Sequence, residues 1–345
     1  VVSLCFPTYS AARRWGRRRA TEAFVLTGNA NKVKVAVIGC GYFGSLHAQK
    51  YAALDAAELV GVCDIDAKRA EASAEKTGAR PFTDLADLIG KVDAVTVAVP
   101  TTSHFAVAEA FLDNGVDVLI EKPICTTLDE ADALISLADD RGRILQVGHL
   151  ERFSPIMEAL GEEVVKPGYV ESHRISQYRG RGTDTTVILD MMIHDIDHIL
   201  HMVGSPIEQL DAVGVPVISP AEDIANARLR FASGCVATVT ASRVSWKVQR
   251  TMRVFQRNAY IVADMADNKM IVTRRTGGEN GEPMTLGAEQ REFEPVDLLM
   301  RQAESFLGCV ATRSPPVVSG ADVRPVLEAA LSITEQLREW HRRAV

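Results

Sequence analysis

The chain reads as an α/β protein in two parts: a doubly wound parallel sheet over residues 32–150, then an α+β part (151–345) on an open mixed, mostly antiparallel sheet. Three observations lead there. Strand-like and helix-like segments alternate up to residue 148, a glycine-rich turn follows the first strand, and the hydrophobic period changes to two after residue 220.

The first part is read in order. Residues 33–38 are an apolar run that flows into Gly39-Cys40-Gly41-Tyr42-Phe43-Gly44, a helical stretch to Leu54, and a second strand ending on Asp64. Further strands are expected at 94–99, 117–121 and 144–148, with helices at 66–77, 83–90, 102–114 and 127–141. Such alternation implies right-handed crossovers with helices on both sheet faces, and ligands at the carboxyl ends of the strands. Three loops lie there: Pro100-Thr101-Thr102-Ser103-His104, Glu121-Lys122-Pro123, and His149-Leu150-Glu151-Arg152-Phe153.

In the second part a helix is expected over 187–203. Ala225, Ala227, Leu229 and Phe231 then alternate with polar residues, as do Ala237, Val239 and Ala241 beyond the Ser233-Gly234 turn. One apolar and one polar face mark antiparallel hairpins. More strands are expected near 250–256, 259–264 and 268–273, and closing helices near 295–311 and 320–343. The polar sheet face is expected to cover either a cleft or a partner subunit.

Composition excludes some classes. With 47% hydrophobic and 24% charged residues the chain is an ordinary globular protein, and a net charge of −7 argues against nucleic acid or an anionic membrane as partner. No apolar run approaches the ~20 residues that span a bilayer. The six cysteines (5, 40, 63, 125, 235 and 309) show neither C-x-x-C nor zinc spacing, so a reduced, cytoplasmic protein is expected. Residues 1–31 carry Arg13, Arg14, Arg17, Arg18 and Arg19 against Glu22 alone. Paired arginines suggest an export signal, but Ala23-Phe24-Val25-Leu26 is too short an apolar stretch, and a disordered or non-native extension is expected.

The glycine turn carries the strongest chemical signal. Gly39 permits the turn, Gly41 lets backbone amides approach a pyrophosphate, and Gly44 allows close helix–strand packing. Asp64, twenty residues beyond Gly44, is placed to accept the ribose hydroxyls. That carboxylate repels a 2′-phosphate, which favours NAD over NADP, although Lys68 and Arg69 can soften the repulsion. The expected cofactor residues are Gly39, Gly41, Tyr42, Phe43, Gly44, Asp64, Pro100, Thr101, His104, Glu121 and Lys122.

Two further features suggest catalysis. Lys122, at a strand end and stiffened by Pro123, can donate to a substrate hydroxyl, or else be a surface lysine paired with Glu121. In the segment 190–201, Asp190, His194, Asp197 and His201 share one stripe of a helix that is otherwise Ile, Met, Leu and Val. Asp190 can orient the His194 imidazole as a general base. A metal on His194 and His198 lacks a third-ligand motif, and satisfied core histidines are the remaining reading for His198 and His201.

The glycine loop, the Glu121-Lys122-Pro123 turn and the later Asp190-x-x-x-His194 together resemble the glucose–fructose oxidoreductase / inositol dehydrogenase / rhizopine-catabolism (Gfo/Idh/MocA) family over residues 33 to about 340. The resemblance implies a Rossmann domain beside an open-sheet domain that often mediates dimers or tetramers, with Lys122, Asp190 and His194 as the catalytic trio. Residues 147–155, 190–200, 225–229 and 240–245 are similar to the bacterial UDP-N-acetylglucosamine 3-dehydrogenase group. This implies oxidation of a sugar C3 hydroxyl, with an aminotransferase downstream making a 3-amino sugar for lipid A. Substrate contacts are then expected from Lys122, His149, Arg152, Arg174, Arg181 and His194. His173 and Arg179 are further cations for a diphosphate, and 178–183 is expected as a closing loop. Another sugar or polyol dehydrogenase, or a non-catalytic dinucleotide-binding regulator, are the alternatives.

Overall fold

In the computed structural model, residues 32–178, 186–277 and 284–344 are described. The expected extension 1–31 and most of the expected closing loop, with Arg179 and Arg181, lie outside them. The contacts form two compact units, one of residues 32–153 with Asp297–Leu327, the other of residues 154–296 with 328–344.

The first unit holds β1 (Val33–Ile38), α1 (Tyr42–Ala53), β2 (Ala57–Cys63), α2 (Ala67–Thr77), β3 (Arg80–Phe82), β4 (Ala94–Val97), α3 (His104–Asp113), β5 (Asp117–Ile120), α4 (Leu128–Arg141) and β6 (Leu145–Val147). Its strands are all parallel, in the order β3-β2-β1-β4-β5-β6, the doubly wound arrangement expected. A parallel sheet covered on both faces needs continuous apolar strands, and β4 and β5 are buried at every position. The helices have legible ends. The Asp66 carboxylate accepts the Lys68 amide at the start of α2, Thr127 and Glu130 form a reciprocal capping box on α4, and Gly78 and Gly142 close these helices in the left-handed region. The helix expected at 83–90 is only a 3₁₀ turn, Leu85–Leu88; Ile89 is already extended (ψ 131°) and Gly90 follows at φ +76°.

The second unit begins with α5 (Pro155–Glu163) and β7 (Pro167–Ile175). A π-helical turn, Ile188–Met192, then leads into α6 (Ile193–Val203). Strands β8 (Ile207–Val215), β9 (Ile224–Phe231), β10 (Val236–Ser242), β11 (Gln249–Gln256), β12 (Ala259–Asp264), β13 (Lys269–Thr276) and β14 (Thr285–Glu292) follow. The eight-stranded sheet runs β14-β13-β12-β11-β7-β10-β9-β8; β7 and β10 are parallel and every other pair is antiparallel, so the sheet is mixed as expected. The alternation read in β9 and β10 places Ala225, Ala227, Leu229, Ala237, Val239 and Ala241 in the core.

Four strands, β3, β7, β8 and β14, were not expected from the sequence, and for β7 and β14 the physical reason is plain. Central β7 turns Ser172 and Arg174 inward, so its core face looks polar. Both meet Asp195 of α6: Ser172 Oγ donates at 2.6 Å and Arg174 Nε at 2.5 Å, and all three side chains are buried. Edge strand β14 is exposed along nearly its whole length and has no apolar face to detect.

After the second sheet come α7 (Leu298–Thr312) and α8 (Gly320–Ala344). The sequence reading grouped both with residues 151–296, but α7 packs on the first sheet. Ala303, Phe306, Leu307 and Val310 are buried in one cluster with Val33, Val35, Val37, Ala48 and Tyr51. Salt bridge Lys50–Asp297 (2.6 Å) secures its start, and Arg313 on Asp117 its end. Among the described residues no helix is long and apolar enough to cross a membrane.

Removing one partner of a buried ion pair strands the other. Asp195→Ala is therefore expected to lower unfolding stability by about 3–5 kcal/mol in urea titration, with α6 losing protection in hydrogen exchange. An unchanged midpoint counts against a structural role for the Arg174–Asp195 pair.

Candidate active site

The nucleotide loop is built from backbone proximity. Gly39 has φ +93°, and a Cβ there would lie 2.5 Å from the Ala98 carbonyl oxygen. A Cβ on Gly44 would fall 1.8 Å from the Gly39 oxygen. The space beside Gly41 is open, with nothing within 4 Å of where its Cβ would stand. Helix α1 starts at Gly41 with no side-chain cap and no acid in its first turn. Its free amides and positive dipole end therefore suit a phosphate. Tyr42 and Phe43 stand exposed at the same turn, packed edge to face at 5.5 Å.

Asp64 closes the other side. Its Oδ2 accepts the Cys40 amide at 2.7 Å and its Oδ1 the Asp66 amide at 2.9 Å, so the carboxylate ties the end of β2 to the glycine loop. An open glycine cradle, an uncapped helix and an acid at the neighbouring strand end fit a dinucleotide. Cys40 and Cys63 are buried beside it with thiols pushed up to about 11, chiefly by burial, which makes them space-fillers.

The remaining first-unit residues gather at the strand ends. Pro100 is exposed and Thr101 half-buried. His104, expected at the cofactor, is buried instead, with Nδ1 2.9 Å from the Pro123 carbonyl and Nε2 3.0 Å from that of Val99. It ties the β4 loop to the Lys122 turn. Burial pushes its imidazole below the ordinary value, against the pull of those two carbonyls. Lys122 is half-buried, and Glu121 beside it is buried, not at the surface. Its Oε1 lies 2.7 Å from His47 Nε2 and its Oε2 accepts the Lys122 amide at 3.3 Å. Burial alone would raise the Glu121 carboxyl, but the bond to His47 and the charges of His47 and Lys122 hold it below the ordinary range. His149 and Arg152 are buried in the turn after β6.

In the second unit, Asp190 lies in the π-helical turn and His194 in the first turn of α6; both are half-buried. The expected stripe assumed a regular α-helix from 187. A π turn over Ile188–Met192 replaces its start; Asp190, His194 and His201 are half-buried while Asp197, at the edge of that stripe, is buried. His173 lies on the opposite sheet face from Ser172 and Arg174, 3.1 Å from Glu171. Arg174, expected at a diphosphate, is buried and engaged by Asp195, an arrangement that anchors α6. Among the described residues no cluster of three or more His, Cys, Asp or Glu is arranged to hold a metal.

Sequence reasoning passed over His47 and the buried pair of Arg243 with Asp223 (2.8 Å). His47 was detectable in principle: it shares the inward stripe Gly44, His47, Ala48 and Tyr51 of α1, where a histidine needs a buried partner.

Fold and loop together define a dinucleotide-binding protein. Two family descriptions match, "Oxidoreductase family, NAD-binding Rossmann fold" over residues 33–149 and "GFO/IDH/MocA C-terminal domain" over residues 167–262. The UDP-N-acetylglucosamine 3-dehydrogenase of Acidithiobacillus ferrooxidans is 36% identical over 302 residues, covering 87% of this chain and 96% of that protein. Its crystal structure superposes with a TM-score of 0.83 at 35% identity, covering 89% of this chain and 98% of that one. The myo-inositol 2-dehydrogenase of Thermotoga maritima is 26% identical over 327 residues, covering 89% and 97%. The chain belongs to the Gfo/Idh/MocA oxidoreductase family, and its first unit carries the NAD-binding Rossmann fold.

The glycines separate two effects. Gly41→Ala is expected to leave thermal stability unchanged and cost about 1.5–3 kcal/mol of NAD affinity by calorimetric titration, the worth of one charge-assisted hydrogen bond. Gly44→Ala, whose Cβ meets backbone, is expected to destabilise the first unit itself. Equal NAD affinity in Gly41→Ala and the unaltered chain would contradict the assigned cradle.

Proposed function

We propose that this oxidoreductase converts the C3 hydroxyl of UDP-N-acetylglucosamine to the 3-keto sugar, with NAD preferred over NADP. Similarity to the Acidithiobacillus enzyme carries the reading, because it runs through both matched domains and nearly the whole length of each chain. Bound NAD supplies the hydride acceptor. His194 takes the hydroxyl proton, Asp190 orients that imidazole, and Lys122 donates to the oxygen as charge develops on it. Such proton-transfer roles are each worth roughly 10²–10⁴ in rate. Residues 32–153 with 297–327 serve as the cofactor domain, and residues 154–296 with 328–344 as the substrate and oligomer domain. His149, Arg152 and Arg181 are assigned to substrate, with Arg174 holding the helix that bears His194.

The product is a ketone set for transamination, so an aminotransferase making a 3-amino sugar for lipid A is the proposed consumer, in the cytoplasm. A homodimer or homotetramer is proposed on the uncovered sheet face, where Tyr169, Phe255 and Tyr260 stack at 5.6 and 4.6 Å and Phe255 is exposed. The inositol dehydrogenase relatives favour a second reading, oxidation of a free polyol.

The assay mixes enzyme, NAD and UDP-N-acetylglucosamine with a 3-keto-sugar aminotransferase and its amino donor, and follows NADH. Turnover with the nucleotide sugar and none with myo-inositol is expected; the reverse assigns the polyol reading. Lys122→Ala is expected to keep NAD affinity and lose roughly 10²–10⁴ in turnover. Undiminished turnover in that variant removes Lys122 from the chemistry, whereas an unaltered chain that binds NAD but turns over neither substrate favours a regulator.

A further inference from the structure

The Lys122 turn rests on a buried pair that the proposed chemistry does not employ. His47 reaches inward from α1, completely buried, with Nε2 2.7 Å from Glu121 Oε1. Its other ring nitrogen, Nδ1, has no hydrogen-bond partner among the described residues, so the ring's polar contact is with Glu121. The ring stacks on Tyr51, whose hydroxyl is fixed 2.7 Å from Thr96 Oγ1 of β4. The second carboxylate oxygen of Glu121 accepts the Lys122 amide. From the far side Gly148 closes the slot, since a Cβ there would lie 3.0 Å from Glu121 Oε2 and 3.1 Å from Oε1. One carboxylate thus joins α1, the turn after β5 and the turn after β6. A rigid helix runs from the Gly41 cradle to His47, less than two turns away.

We propose that His47 is a positioning residue: through Glu121 it couples the dinucleotide-holding end of α1 to the Lys122 turn, so that cofactor on the helix orders the backbone that presents the lysine. The coupling itself needs only the first unit. Its effect on turnover rests on the role proposed above for Lys122. A replacement that supplies the same donor should work, and one that fills the space without a donor should not. Gln can place an amide N–H near the position of the imidazole Nε2, whereas Leu cannot donate.

Full-length His47→Leu and His47→Gln are compared by hydrogen exchange of residues 117–125, with and without NAD. In the unaltered chain NAD is expected to slow exchange of this segment. His47→Leu is expected to abolish the slowing while NAD still protects the first turn of α1, and His47→Gln to restore it. In steady state His47→Leu is expected to lose roughly 10²-fold in kcat with the KM for NAD within about threefold, as for a reacting group displaced by about 1 Å. Should His47→Leu fail to fold, Gly148→Ala, which pushes the carboxylate from the opposite side, replaces it with the same expectation. NAD protection of 117–125 that survives the substitution, or a His47→Gln chain as impaired as His47→Leu, overturns the proposal. Full turnover in Lys122→Ala would instead overturn the catalytic reading and leave the exchange result standing.

Discussion

Helix α1 can begin where it does because two stretches of backbone approach more closely than any side chain allows. A Cβ on Gly44 would overlap the Gly39 carbonyl oxygen, and one on Gly39 would collide with Ala98. This approach seats the helix directly against β1 and β4 and leaves its first amides uncapped beside open space. The direction of α1 then determines where His47 and Tyr51 enter the core, and with them the footing of Glu121. Even α7, distant in the chain, packs its Phe306 and Val310 into the cluster that α1 and β1 define.

Carboxylates organise the rest, each buried and each satisfied in a different way. Asp64 collects two backbone amides and joins a strand end to the glycine loop. Asp195 takes a hydroxyl and a guanidinium from β7, which pins α6 to the sheet. Asp223 accepts the amides of Val217, Ile218 and Ser219 together with Arg243. Those bonds outweigh the burial that would raise it and hold its carboxyl far below the ordinary range. Buried charge is costly unless fully partnered, so these acids specify one arrangement of loops and helices where an apolar contact would tolerate several. In two of the three cases the partner is a strand or loop flanking an element that bears a proposed functional group.

Much of the first unit was legible because a parallel sheet covered on both faces writes itself as continuous apolar runs, and capping residues such as Asp66 and Thr127 mark helix starts locally. The hairpin of β9 and β10 was legible for the complementary reason, one face wet and one dry. Strand β7 was not, because its inward residues are chosen for Asp195 rather than for hydrophobicity. The π turn that carries Asp190 was also hidden, since an i→i+5 turn leaves no periodic signature in a dozen residues. At the site, the glycines and Asp64 were named from spacing, and Lys122, Asp190 and His194 as candidates from their strand-end and helix positions together with the family resemblance. The engagements of Glu121 with His47, His104 with Pro123 and Arg174 with Asp195 were not, because these partners lie 74, 19 and 21 residues apart in the chain.

The amino-acid sequence by itself determined the class of fold, the dinucleotide loop and the family, since these depend on local periodicity, on glycines where no Cβ fits, and on short motifs. Tertiary structure alone decided that α7 completes the first core, that Arg174 anchors a helix, and that His47 stands under the Lys122 turn. Those outcomes depend on which buried charge finds which partner across long stretches of chain, and pairing of that kind is set by three-dimensional proximity.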